Sequence, residues 1–160
     1  MVRIFIVYGG KEGEEIGRKL EVYFKGNNIG AFLASPQSPE IEPNEDFQQR
    51  ISHELKNANL AIIVVTEGIH SSSPALGEID RILDDLKYPS IPFVKNGVQP
   101  PARLQGKWKV SFDNNNPSEP ELKELELKMW RFYDHWKSTQ VQQQKESGEV
   151  IPQEIYGLKG

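Results

Sequence analysis

One carboxylate in the chain is placed to do chemistry. Glu78 lies in the run Ser71-Ser72-Ser73-Pro74-Ala75-Leu76-Gly77-Glu78-Ile79, where a serine cap with proline at the first helical position announces a helix. Ala75, Ile79, Ile82, Leu83 and Leu86 recur on its inward face, and Glu78 falls one position off that stripe. Its carboxylate therefore belongs at the edge of the core, toward the mouth of the sheet that the helix covers. The position suits a working carboxylate; it equally suits an ordinary glutamate favoured by the helix dipole. The preceding Gly77 costs a helix interior about 1 kcal/mol relative to alanine, so a neighbouring sheet or a ligand is expected to pass close to the backbone there.

A second group of candidates is Tyr8-Gly9-Gly10, where missing Cβ atoms let backbone N–H groups approach a ligand beside a helix start, or simply make a tight turn. Neither GxGxxG nor GxxxxGK[ST] is present, so no redox dinucleotide cofactor and no P-loop nucleotide is expected. His53, His70 and His135 lack metal-ligand spacing, and no HExxH or calcium loop occurs, so no metal is expected either. The absence of cysteine removes thiol nucleophiles and disulfides, and no GxSxG elbow offers a serine nucleophile.

These residues must be positioned by alternating strands and helices. VRIFIV at 2–7 is apolar at nearly every position, the pattern of a strand buried on both faces of a parallel sheet. Ile16, Leu20, Tyr23 and Phe24 then mark a helix, IGAFLA at 29–34 a second strand, and SPQSPEIEP at 35–43 a loop with three prolines. Asn44 is placed to cap a helix carrying Phe47, Ile51, Leu55 and Ala58 and ending near Asn59. LAIIVV at 60–65 is the strongest strand and belongs at the centre of the sheet. Shorter strands are expected at 91–94 and 108–112, then a helix carrying Leu122, Leu125, Met129, Phe132 and Trp136. A polar, glutamine-rich tail, 137–160, is expected to fray or extend into solvent. The result is a flavodoxin-like, doubly wound sheet of about five parallel strands flanked by helices, with the α/β domain at 1–136. Its ligand crevice is expected between the loops after Tyr8 and after Thr66.

Composition closes off other classes. The 160 residues carry 19 basic and 23 acidic side chains, a net charge of −4, with the basic residues scattered, which argues against nucleic acid as a partner. No apolar run approaches the ~20 residues of a membrane helix. Met1 leads within one residue into a strand, leaving no room for a signal sequence, so a cytoplasmic location is expected. Trp130, Phe132, Tyr133 and Trp136 could stack on bases, but with no basic cluster beside them they read as helix–sheet packing.

The order VRIFIVYGG, the proline-rich loop after IGAFLA, and LAIIVVTEGIHSSSPALGEIDRIL resembles a TIR domain of the prokaryotic type over roughly residues 2–136. TIR domains occur in NAD-cleaving and immune-signalling proteins. The resemblance implies that Glu78 matches the catalytic glutamate of the NAD-cleaving members and that the loop at 35–43 corresponds to their BB loop. On this reading Tyr8, Gly9, Gly10, Ser35, Pro36, Ser73 and Gly77 contact the substrate. NAD is then the substrate, not a cofactor, and further copies or other TIR-like domains are the partners, in immune or stress signalling. One glutamate is enough for this reaction, because nicotinamide departs from an already cationic nitrogen and needs no general acid. Two alternatives remain at this point: a nucleoside 2-deoxyribosyltransferase-like enzyme, with the glutamate as nucleophile, and a non-enzymatic TIR-like interaction module. A polar mouth favours an enzyme; a plugged one favours the module.

Overall fold

A computed structural model describes residues 1–38 and 40–147. Five strands, β1 (Arg3–Val7), β2 (Gly30–Leu33), β3 (Leu60–Val65), β4 (Ser90–Lys95) and β5 (Val110–Phe112), form one sheet in the order β2-β1-β3-β4-β5, every pairing parallel. The expected flavodoxin-like arrangement is the observed one. In register, Phe5 stands beside Phe32 of β2 and Ala61 of β3, and all six residues of β3 are buried. Pro92, without an N–H to donate, sits in β4 just ahead of the stretch that pairs with β5, which begins at Phe93 opposite Val110.

Alternation along each strand divides the core between the two faces. Ile4, Ile6, Ile62, Val64 and Phe93 face α1 (Gly10–Gly26) and α4 (Glu119–Ser147), where Ile16, Leu20, Leu125, Met129 and Tyr133 meet them. Phe5, Val7, Ile63 and Val65 face α2 (Phe47–Asn57) and α3 (Ser73–Arg81), meeting Leu55, Ala75 and Ile79. Phe93 and Phe112 stack with ring centroids 4.3 Å apart, closing the β4–β5 side.

Several boundaries differ from the sequence expectation. Helix α2 is capped by Asp46, whose carboxylate accepts from the Gln49 N–H at 3.0 Å, not by Asn44, which leaves Glu45 free to grip Arg50. Ser72, not Ser73, caps α3, accepting from the Ala75 N–H at 3.2 Å. The α3 cylinder continues to Leu86 as a π turn and stops at Lys87, whose φ of +58° ends it. Strand β5 begins at Val110, and Trp108 lies before it, exposed. Helix α4 carries on past Trp136 to Ser147, so the first part of the expected tail is helical; Lys and Gln are good helix formers and nothing in KSTQVQQQKES breaks the helix. The rest of that tail, 148–160, and Pro39 of the proline-rich loop lie outside the described residues. Among the described residues no helix is long and apolar enough to cross a membrane.

Candidate active site

The chain winds outward in opposite directions from β1 and β3, and the backbones of their loops touch at Gly9. A Cβ at Gly9 would stand 2.6 Å from the Ile69 Cα and 2.8 Å from the Ser72 Cβ, and one at Gly68 would stand 2.8 Å from the Gly9 carbonyl oxygen. The glycines thus let two backbones touch. This contact joins the start of α1 to the short helical turn α3′ (Glu67–Ser71) that precedes α3. Thr66 is buried behind it, its hydroxyl 3.4 Å from the Gly9 carbonyl.

Open space lies between α2 and α3, in a cleft of about 240 Å³ lined by Ile51, Ser52, Leu55, Gly77, Glu78 and Arg81 among others. Among the described residues, a Cβ at Gly77 would meet nothing within 4 Å, so none of their strands or helices packs there. Beside it the partly buried Glu78 carboxylate receives no hydrogen bond from the described residues. Burial pushes its pKa up from 4.5 to about 7, because desolvation penalises the charged form. Arg81, one helical turn on, donates from its guanidinium to the Ser52 hydroxyl at 3.0 Å and ties the two walls together.

Tyr8 and Ser35 form a second cluster. The Tyr8 hydroxyl donates to the Ala34 carbonyl at 2.9 Å and lies 3.4 Å from Glu14; the buried Ser35 hydroxyl donates to the same Glu14 oxygen at 2.5 Å and accepts from the Gln37 N–H at 3.2 Å. The start of the proline-rich loop is therefore clamped to α1. Burial and then the Glu14 charge push the Tyr8 pKa up to about 12, with a smaller contribution from Glu78, so the two clusters share an electrostatic neighbourhood. Pro36 and Ser73 are exposed, on the loop and in the first turn of α3.

The structure thus brings Gly77 to Glu78, and Tyr8 to Ser35, while Gly9 and Gly10 contact Gly68. Glu14, Ser52 and Arg81 were missed by sequence reasoning. Glu14 meets Ser35 only because α1 and the end of β2 are adjacent in space, a separation of 21 residues with no local signal. Among the described residues no three His, Asp or Glu side chains cluster as metal ligands.

No family model matches the sequence, and no curated protein matches it by sequence. Solved structures do match the fold. The TIR domain of the Toll-related receptor TRR-2 from Hydra magnipapillata superposes with a TM-score of 0.61 at 14% identity, covering 84% of this chain and 99% of that one. The TIR domains of the activated Roq1 resistosome, which recognises the pathogen effector XopQ, superpose at 0.50 and 15% identity over 60% of this chain, which spans 58% of theirs. A 2-deoxyribosyltransferase from Bacillus psychrosaccharolyticus superposes at 0.54 and 14% identity, over 76% of this chain and 96% of that one. The fold is TIR-like.

Proposed function

We propose that the chain is a TIR-like NAD glycohydrolase or cyclase, with Glu78 as its catalytic carboxylate. The Glu78 carboxylate carries this reading: it is partly buried, unsatisfied by protein donors among the described residues, raised to about 7, and set beside open space at Gly77. A carboxylate kept in that condition destabilises the fold when ionised and has no structural partner to justify it, which is the signature of a group held for chemistry.

In the reaction the C1′–N bond to nicotinamide breaks with its electron pair passing to the ring nitrogen, and nicotinamide leaves neutral. Positive charge spreads over C1′ and the ribose ring oxygen, and the ionised carboxylate of Glu78 stabilises it. A water oxygen captures C1′ and yields ADP-ribose, its proton passing to Glu78 or solvent; capture by a nucleophile of the same molecule yields a cyclic product. A cationic nicotinamide ring near the carboxylate favours its charged form, so binding itself drives ionisation. The clamped loop beginning at Ser35 and Pro36 covers the substrate or meets a neighbouring copy. We place this activity in the cytoplasm, in immune or stress signalling, with self-association as part of it.

A second reading has one observation in its favour. The loops after β1 and β3 pack against each other at Gly9 and Gly68, in the region where such sheets take ligands, as those of an interaction module would. Nicotinamide release from NAD by concentrated, crowded protein separates the two, with Glu78→Ala compared after both proteins are shown to be folded. Release abolished in the variant supports the enzyme. No release and no NAD binding by the wild type overturns it, and nucleobase release from a deoxynucleoside would move the chemistry to the transferase class.

A further inference from the structure

At the other end of the sheet, the segment before β4, the segment before β5 and the second half of α4 enclose a groove of about 770 Å³. That is the size of a small-molecule site, about 300–1,000 Å³. Its walls are aromatic and basic: Lys87, Tyr88, Trp108, Arg131, Phe132 and Trp136 line it, with His135 alongside, and among the described residues no carboxylate lines it. In a chain of net charge −4 this is a local reversal of sign. Trp108 is 62% exposed, and the Lys128 ammonium and Arg131 guanidinium lie over its ring, 4.7 and 5.9 Å from the centroid. Asp84, which feels the charge of Lys87, is itself gripped by two contacts from Arg103, at 2.6 and 2.9 Å.

An exposed indole bordered by cations matches one ligand chemistry: a flat ring system that stacks, joined to a phosphate that the guanidinium and ammonium groups hold. We propose that this groove binds a nucleoside monophosphate or a nucleotide containing one, with the base on the Trp108 and Trp136 aromatics and the phosphate on Arg131 and Lys87. The groove lies apart from the Glu78 cleft and does not depend on the reaction assigned there. Tyr88 stands between the two, its ring lining the groove and its hydroxyl donating to the carbonyl of Leu55, a residue of the cleft wall, at 2.8 Å.

Calorimetric titration of the full chain with AMP tests the assignment, with ribose 5-phosphate and adenosine as half-ligands and Trp108→Ala, Arg131→Glu and Glu78→Gln as variants. Trp108 and Arg131 are exposed, so their substitution leaves the core intact, which circular dichroism and melting temperature verify. The expected result is AMP binding weakened about tenfold or more by each groove substitution, weak binding of either half-ligand, and unchanged affinity in Glu78→Gln. Absence of AMP binding at millimolar concentration overturns the proposal. So does affinity indifferent to Trp108 and Arg131, or AMP binding lost in Glu78→Gln, which would place the nucleotide in the other cleft. A short single-stranded RNA bound through Trp108 with AMP unbound would also overturn it, making the groove a nucleic-acid surface.

Discussion

Replacing Glu78 by glutamine should stabilise the protein, and by an amount that pH controls. The pKa of Glu78 rises from 4.5 to about 7 on folding because burial disfavours the charged carboxylate. Below pH 4.5 the group is neutral in both states and costs nothing. Between 4.5 and 7 the unfolded chain releases the proton while the folded chain keeps it, so stability falls as pH rises through this window and levels off above 7. At 1.36 kcal/mol per unit the full rise corresponds to about 3.4 kcal/mol, and partial exposure reduces the cost of the ionised carboxylate to about 2–3 kcal/mol at pH 8. Glutamine has the same shape and no charge, and no hydrogen bond to Glu78 from the described residues is lost with it. The gap in unfolding free energy between Glu78→Gln and wild type should therefore be small at pH 5, widen through pH 6 and 7, and reach about 2–3 kcal/mol at pH 8, roughly 5–10 °C in Tm for a chain this size. Urea unfolding at those pH values measures it, and other titrating groups cancel in the difference. A gap constant with pH, or one that narrows as pH rises, would refute the claim that Glu78 is held in a desolvated site.

The same titration sets the sign for activity: kcat/KM for nicotinamide release should rise with pH through about 7 and then flatten, because the ionised carboxylate is the working form, and a profile falling through that range would contradict the assigned role. Gly9→Ala should cost about 1–3 kcal/mol, since its Cβ would press to 2.6 Å from the Ile69 backbone, whereas Gly77→Ala meets only open space and should stabilise α3 by up to about 1 kcal/mol; thermal melts of the pair check both. Ser35→Ala leaves Glu14 with only the longer contact from the Tyr8 hydroxyl and should destabilise by about 1–3 kcal/mol while making the loop at 35–43 more sensitive to limited proteolysis. Asp46→Ala should cost about 1 kcal/mol and Asn44→Ala nearly nothing in urea unfolding, because Asp46 alone caps α2.

What the sequence could disclose here depended on whether the deciding contact was local. The continuous apolar runs of β1 and β3 are legible because burial on both faces demands them at every position, and the helix stripes follow because one side of each helix must meet the sheet. Helix ends were less legible, because Asn44 and Asp46 are both competent caps and only the direction of the incoming chain selects between them. The glycines show a sharper ambiguity. A missing Cβ admits a ligand or another backbone equally well, and at Gly9 it is the backbone of Ile69, sixty residues along, that takes the space. At Gly77 the same signal ends in the opposite way, with none of the described residues against it. Glu78 could be singled out from the sequence as standing off the inward stripe, but its raised pKa comes from the packing of α3 beside α2, which no spacing within α3 encodes. The basic groove makes the same point most strongly. Phe132 and Trp136 look like plain packing residues when read along α4 with no basic cluster beside them, and it is the return of the chain at Lys87 and Trp108 that sets cations and an exposed indole against them. A helix face that looks structural in one dimension becomes a binding wall once the connections before β4 and β5 are folded onto it, so aromatic residues near the end of a covering helix need to be judged by what the strand-entering segments bring, not by their own neighbours.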